Sequence, residues 1–446
     1  MYNTRSSPQK NKFGDIVFFG NTNTALLDKL CAFLLVVSPI LQHYTGLYRS
    51  AGFTILLLVS PYLLLKLLKK FQLGRINTTH LSIFLLLFLF QFFKMVSHSI
   101  NTSKIMYGVF MLICFLTIVC ECVNIKYFLR YATYIASFAG VCLMVQYLLY
   151  YIAGFHLQMV PTGLLLPENS AWILGAQTGT ASITGQIIDF YRPSAFFLEP
   201  SHLMLFSFPV LTILLLSPNM QKWRFRHAVI ITIGIALSTS GMGIAVCLGI
   251  WALYFFLYRR AKGEIPKGTI KKLLSVKNIF ILVLLIGFLI LAYTQIGFFR
   301  SAVDRIFNPD DGSSTAIDGR IRLARMLVED MSGKQLLLGV TDDVSDIDFN
   351  LSGFFATLYK FGIVGLVLSY LFYFGSLLRL KGSYFWISLI IIILSYFTAH
   401  THGTFYMLYF IIILMDGYHP NHDPKKQSFR HQKKKGLGKS SQFPAR

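Results

Sequence analysis

The segment YRPSAFFLEPSHLML, residues 191–205, places three chemically capable residues at the head of a long apolar run. Glu199 can accept a proton or orient a hydroxyl group, and His202 offers a ring nitrogen for the same work. Arg192 carries a permanent charge and a fork of donors that suits phosphate. A carboxylate in apolar surroundings is costly unless its charge is compensated. These residues therefore either neutralise one another to pin helices together, or line a reaction site.

Two prolines set the expected geometry of this segment. Pro193 suits the first turn of a helix, where its missing N–H is not needed. Glu199 would then lie about two turns deeper and share a helix face with His202. Pro200 would disturb that helix and release the carbonyl of Phe196, which is one way to build a polar cavity inside a helical bundle.

A second cluster, DGRIRLAR at residues 318–325, supplies arginines that suit a diphosphate. Arg320 and Arg322 lie roughly 200° apart on a helix, so at most one or two of the arginines point into a common site. The segment also has an apolar stripe, formed by Ile321, Ala324, Leu327 and Val328. This stripe leaves open a second interpretation, a surface helix whose Arg322 and Arg325 reach lipid headgroups.

The other candidate site residues are supported by less specific patterns than these two clusters. His400 and His402 in TAHTHGTF lie at the outer end of a predicted span and either face the same cavity or are ordinary interface histidines. Asp346 and Asp348 form a D-x-D pair, which holds a metal in nucleotide-sugar enzymes, but a solvated acidic loop is the preferred interpretation. The sequence has no Walker A, H-E-x-x-H or G-x-S-x-G motif. We predict neither a metal nor a cofactor.

The elements that must position these residues are membrane helices. The chain has 446 residues, of which 54% are hydrophobic and only 13% charged, about half the charged fraction of a soluble domain. Repeated apolar runs predict an all-α, polytopic membrane protein with about twelve spans. The predicted spans are about 24–42, 51–67, 79–97, 104–121, 128–154, 193–217, 227–240, 242–258, 278–297, 351–377, 384–399 and 403–416.

The basic residues predict the orientation of these spans. Strongly basic short loops fall on one side of the membrane, which marks that side as cytoplasmic. Both termini are therefore expected in the cytoplasm, as a polar segment 1–23 and a basic tail 417–446 flanking the membrane domain 24–416. The net charge of +22 is interpreted as a topology signal and as attraction to an anionic inner leaflet, with no nucleic-acid partner. Two long loops, about 155–192 and 298–350, are left on the outer side.

Several of these segments resemble a known family. The run R-P-S-A-F-F-L-E-P-S-H is similar to the R-x-S-x-F-x-x-E-P pattern of Wzy-type polymerases, which polymerise O-antigen and capsule repeat units. Arg320, the run LLLG at 336–339, Asn350 and LYKFGIVGLVLSY at 358–370 resemble the second outer loop and following helix of that family and of the O-antigen ligases. The resemblance covers roughly residues 130–415, more in topology than in identity.

The resemblance implies a membrane glycosyltransferase of C-type fold in the bacterial cytoplasmic (inner) membrane. Such an enzyme transfers an undecaprenyl-diphosphate-linked glycan to the sugar hydroxyl of another lipid-linked repeat unit, without a metal. It would act downstream of a flippase and beside a chain-length regulator. Arg192, Arg320 and Arg322 would bind the diphosphate, and Glu199, His202 and His400 are the candidates for activating or orienting the acceptor hydroxyl.

Three other functions stay open from the sequence, and one of them is a structural or sensory membrane protein without catalytic activity. An O-antigen ligase would run the same chemistry with a different acceptor, although no histidine stands at the spacing of the ligase's loop histidine. A flippase or transporter for the lipid-linked unit would place charges deep in several spans. The charges of the first five spans lie near span ends instead, which favours an enzyme acting on one side of the membrane.

Overall fold

A computed structural model of the chain describes residues 26–47, 50–69, 78–96, 102–120, 122–166, 193–216, 222–238, 241–261, 287, 294, 324–340, 352–398 and 404–417. Within these ranges the chain is helical, with two isolated β-bridges and no named strand. The α-helices are α1 Leu26–Leu41, α2 Ala51–Lys69, α3 Thr78–Val96, α4 Thr102–Cys120, α5 Ile125–Ala153, α6 Pro200–Leu216, α7 Lys222–Leu237, α8 Gly241–Ala261, α9 Gly333–Leu338, α10 Gly353–Arg379, α11 Ser383–Phe397 and α12 Thr404–Gly417.

Eleven of the twelve predicted spans coincide with one of these helices. The ninth, 278–297, lies outside the described residues except for Gly287 and Thr294. Three described helices are long and apolar enough to cross a membrane, namely Ala51–Leu68, Ile125–Ala153 and Gly353–Arg379, and six shorter apolar helices accompany them. The protein is therefore an all-helical membrane protein, while the number of spans stays a prediction.

Helices α6 and α12 form the centre of the described bundle. Every residue of α6 from His202 to Leu215 is buried, and so is every residue of α12 from Phe405 to Met415. A helix that is apolar on all sides belongs in the interior of a bundle. Two tyrosines of α12 tie the pair together, because the hydroxyl of Tyr406 donates to the His202 carbonyl at 3.1 Å and that of Tyr409 to the Phe206 carbonyl at 3.0 Å.

The apolar run 227–258 forms two helices, as its length and its Ser/Gly-rich middle predict. Helices α7 and α8 fold back on each other across this middle. The indole Nε1 of Trp251 donates to Thr232 Oγ1 at 2.8 Å, and the Trp251 ring contacts Phe225. Helix α7 also packs closely on α5, where a Cβ atom on Gly234 would lie only 2.7 Å from Gly140 Cα. Small residues allow such close approach of two membrane helices.

Charged groups hold one end of the bundle together. Asp28 of α1 accepts hydrogen bonds from the hydroxyl of Tyr62, at 2.7 Å, and from the ammonium of Lys66, both on α2. Lys66 also donates to the carbonyl of Cys122 before α5, at 3.1 Å. This ion pair is largely enclosed, and its two members satisfy each other and the backbone. It lies where the predicted topology places the cytoplasmic ends of α1, α2 and α4.

At the opposite end, the second outer loop is anchored to α10. The backbone leaves helical geometry at Gly362, with φ 65° and ψ −171°, so α10 consists of two helical parts. The short helix α9 and the residues after it fit against this break, and the amide of Val340 donates to the Tyr359 carbonyl at 2.7 Å. The start of α10 is fixed as well, because the Gly353 amide donates to the Thr398 carbonyl at 2.9 Å.

The helix predicted in the same loop is confirmed in its described part, while its position along the membrane surface stays a prediction. Residues 324–329 are helical. Ala324 is buried while Leu327 and Val328 are half-buried, and Arg325 pairs on the exposed side with Glu329 at 2.8 Å. The apolar stripe therefore faces the protein, as its spacing predicts.

Candidate functional site

The candidate site is built around a buried turn at residues 193–199, and here one expectation was wrong. Helix α6 begins at Pro200, not at Pro193. Pro200 therefore occupies the first helical position, where its missing N–H costs nothing, and does not kink the helix. The Phe196 carbonyl is not released by Pro200; it lies in the turn and accepts a hydrogen bond from the Tyr44 hydroxyl at 3.1 Å.

The turn itself is tight and almost fully enclosed. The hydroxyl of Ser194 donates to the Phe197 carbonyl at 2.6 Å, and the Phe197 amide donates back to the Ser194 carbonyl at 3.0 Å. Between them Ala195, which is fully buried, has a φ of 53°. A left-handed conformation costs an alanine of order 1 kcal/mol and persists where the surroundings impose it, often beside functional residues.

Glu199 stands at the junction of this turn with α6. Its carbonyl accepts the amides of His202 and Leu203, at 3.1 and 3.2 Å, so it is the residue that caps the helix. Its side chain is half-buried, and its Oε2 accepts a hydrogen bond from the Ser201 hydroxyl at 2.6 Å. The positive end of a helix dipole favours a carboxylate at this position. The N-terminus of α6 therefore compensates part of the negative charge of Glu199, a compensation whose source the sequence alone did not identify. Glu199 lies before the helix and not inside it.

His202 lies on the first turn of α6 and is only 2% exposed. Its ring is stacked on that of His43, with 4.8 Å between the ring centroids and 6° between the planes. The centroid of the Tyr406 ring on α12 lies 6.0 Å from that of His202. Two imidazoles and a phenol thus lie together where α1, α6 and α12 have their ends, and His202 is three residues along the chain from Glu199.

The loop between α1 and α2 forms one wall of this site. The Thr45 amide donates to the Leu164 carbonyl at 2.7 Å, and the Leu166 amide donates to the His43 carbonyl at 3.0 Å. The next residue, Tyr44, is buried, and its burial raises the pKa of its phenol to about 12. The phenol is therefore protonated at physiological pH, and its hydroxyl donates to the Phe196 carbonyl of the turn.

Gln146 of α5 connects the described beginning of the first outer loop with the turn 193–199. Its Nε2 donates to the Leu157 carbonyl at 2.9 Å, and its Oε1 accepts the Ala195 amide at 3.1 Å. The side chain is 2% exposed. A buried amide with both ends paired fixes the geometry of the backbone on each side of it.

Replacing Gln146 by leucine should therefore disturb the site. Gln146→Leu leaves the buried Ala195 amide and the half-buried Leu157 carbonyl with one partner fewer, a loss of about 1–3 kcal/mol in the free energy of unfolding. We expect a lower midpoint of thermal unfolding in detergent. Gln158→Leu is the matched control, because Gln158 is exposed and its replacement should change the midpoint little. Equal midpoints for both variants would show that Gln146 does not hold the turn.

The structure brings together only part of the predicted site. Glu199 caps α6 and its carbonyl accepts the His202 amide, so the two residues are joined through the backbone, while their joint role in a site stays a prediction. Arg192, Arg320, Arg322 and His400 lie outside the described residues, as do His402 and the D-x-D pair. Among the described residues, no three His, Cys, Asp or Glu side chains form a group that could hold a metal ion.

Four site residues escaped the sequence reasoning, namely His43, Tyr44, Gln146 and Tyr406. For Gln146 and Tyr406, one feature of the sequence could have identified them as site residues. Each is a polar group within a strongly apolar run, and such a group needs an internal partner. His43 and Tyr44 stand in a short loop with no motif around them, so nothing local marks them.

No protein-family model matches this chain, and no curated protein matches it.

Proposed function

We propose that this protein polymerises undecaprenyl-diphosphate-linked oligosaccharide repeat units into a surface polysaccharide. The observation that carries the proposal is the turn 193–199 with Glu199 at its end, a half-buried carboxylate beside His202 and at the head of a buried helix. This is the segment in which the sequence resembles the Wzy-type polymerases. An enzyme site at one end of a bundle suits a substrate whose lipid stays in the membrane while its sugars project.

The proposed enzyme is a C-type glycosyltransferase with twelve spans, in the bacterial cytoplasmic membrane, with both termini in the cytoplasm. Two observations support this orientation. The ion pair of Asp28 and Lys66 lies at the end predicted to be cytoplasmic, next to the basic loops. The turn 193–199, the α1–α2 loop and the start of α12 meet at the opposite end, on which both long outer loops are expected. Catalysis would therefore take place at the outer face.

The proposed reaction joins two lipid-linked units. The O–H bond of the acceptor hydroxyl breaks and its proton passes to the carboxylate of Glu199. The oxygen forms a bond to the anomeric carbon of the donor, whose bond to the diphosphate oxygen breaks. The electron pair leaves with undecaprenyl diphosphate, and the proton is then released from Glu199 to water or to that diphosphate. The donor glycan thereby leaves its own carrier and joins the acceptor unit, which stays attached to its own undecaprenyl diphosphate.

Arginines are proposed to stabilise the charge that develops on the leaving diphosphate. Arg192 and Arg320, with Arg322 as a further candidate, come from the two long outer loops, and guanidinium groups bind phosphate bidentately. In this scheme they do the work that a divalent cation does in many other glycosyl transfers. His202 is proposed to support Glu199, and His400 to contact the acceptor.

The decisive experiment is a gel of lipid-linked glycans from cells that lack the gene and carry it on a plasmid. Deletion is expected to leave single repeat units on the carrier, and the wild-type gene to restore a ladder. If the ladder persists on the carrier but no longer reaches its final acceptor, the protein is a ligase. If single units accumulate on the inner leaflet only, it is a flippase.

A further inference from the structure

His43 is held in place by its own loop. Besides the main-chain bonds that join residues 43 and 45 to the segment 164–166, the Thr45 hydroxyl donates to the Leu165 carbonyl at 3.0 Å. The Ala51 amide, at the start of α2, donates to the Tyr44 carbonyl at 2.7 Å. The loop is thus fixed to the first outer loop on one side and to α2 on the other.

The same loop is fixed to the site-bearing turn. Through its hydroxyl, Tyr44 is bonded to Phe196, three residues before Glu199. His43, its neighbour, lies face to face with His202, three residues after Glu199. The α1–α2 loop therefore contacts the backbone on one side of Glu199 and a side chain on the other. Few rearrangements of the first turn of α6 leave both contacts intact.

His202 has little freedom in this arrangement. Its face lies against His43 with near-parallel rings, and its Nδ1 and the Nε2 of His43 are both enclosed by protein. Its own carbonyl is tied to α12 by Tyr406. Aromatic rings at such a distance add to the stability of their arrangement beyond the burial of area. The orientation of the His202 ring is therefore set by the residue stacked upon it.

We infer that His43 is a positioning residue of the transfer reaction. Its ring holds His202, and with it the first turn of α6, so that the Glu199 carboxylate meets the acceptor hydroxyl at the correct distance and angle. The inference rests on the polymerase function proposed above. Small displacements of a reacting group lower the rate of the chemical step much more than they weaken substrate binding.

The test uses the full-length protein in membranes, with lipid-linked repeat units as substrate, and measures kcat and KM. His43→Leu fills the space without a flat ring and is expected to lower kcat about tenfold or more with KM unchanged. His43→Phe keeps a ring to stack on and is expected to retain most of the turnover. In a His202→Ala background, the same His43→Leu change should lower kcat no further, because its effect on kcat depends on the His202 ring.

Each departure from this pattern overturns the inference. It fails if His43→Leu turns over like wild type, if the loss is as large in the His202→Ala background, or if KM alone changes. A His43→Phe variant as slow as His43→Leu would also overturn it, because the ring nitrogens and not the stacked face would then matter. Failure of the proposed function itself is distinct, since the wild-type protein would then elongate no chains in the same assay.

Discussion

Cells that carry Glu199→Gln as their only copy are expected to make single lipid-linked repeat units and no ladder. The substitution keeps the size of the side chain and an oxygen that can accept from Ser201. It removes the negative charge and the basicity, so the acceptor hydroxyl has no proton acceptor at this position. A positioned general base contributes typically about 10²–10⁴-fold to a rate, and a loss of this size is enough to leave only single repeat units.

The matched control for this variant is Glu329→Gln. Glu329 makes an exposed contact with Arg325, with side chains 62% and 78% exposed respectively, and exposed pairs of this kind contribute little. This variant should make a normal ladder at a normal protein level. A normal ladder from Glu199→Gln at the same level would remove Glu199 from the reaction and leave it a helix cap.

Gly362→Ala is expected to destabilise the protein and to abolish polymerisation with it. The backbone of Gly362 has a φ of 65°, which alanine adopts at a cost of order 1–3 kcal/mol. An added Cβ would overlap the Leu337 carbonyl and lie 2.5 Å from the Gly339 amide nitrogen. Both are backbone atoms, so no side chain can move aside. The segment from α9 to Val340 must therefore move away from α10. The second outer loop, which includes Arg320, then loses this contact with the bundle.

The measurement for Gly362→Ala is the midpoint of thermal unfolding in detergent, followed by the ladder assay. Strain and overlap together should reduce the free energy of unfolding by about 3 kcal/mol or more. Gly249→Ala on α8 is the control, since a Cβ there meets nothing within 4 Å and alanine favours the helix. Equal midpoints for the two variants would contradict the close fit at Gly362.

Eleven of the described helices could be predicted because each coincides with a long apolar run, whereas the short helix α9 has no such run. The exact start of α6 could not, since Pro193 and Pro200 both suit the first position of a helix. Local sequence gives no reason to choose between them. Tertiary contacts decide, because Gln146 and Tyr44 bind the turn 193–199 and keep it from becoming helical.

The sequence points to Glu199 and His202 as candidate site residues, but it does not point to His43. Glu199 and His202 stand out in the sequence as polar residues heading an apolar run, but the shared helix face expected from their spacing is not formed, because Glu199 precedes the helix. His43 reaches His202 only because the α1–α2 loop packs against the turn 193–199 and the start of α6, a contact between residues far apart in the sequence. A single histidine in a short loop has no periodicity, so only the folded chain reveals its partner.

The anchoring of the second outer loop has an evolutionary consequence. Val340 and Gly353 are each hydrogen-bonded to fixed parts of the helical bundle, through Tyr359 and Thr398. Residues inserted or deleted between these two points leave both attachments in place, so the length and composition of this stretch can change while the scaffold stays constant. In the proposed polymerase, a change in this stretch would be the least disruptive way to accommodate a different sugar.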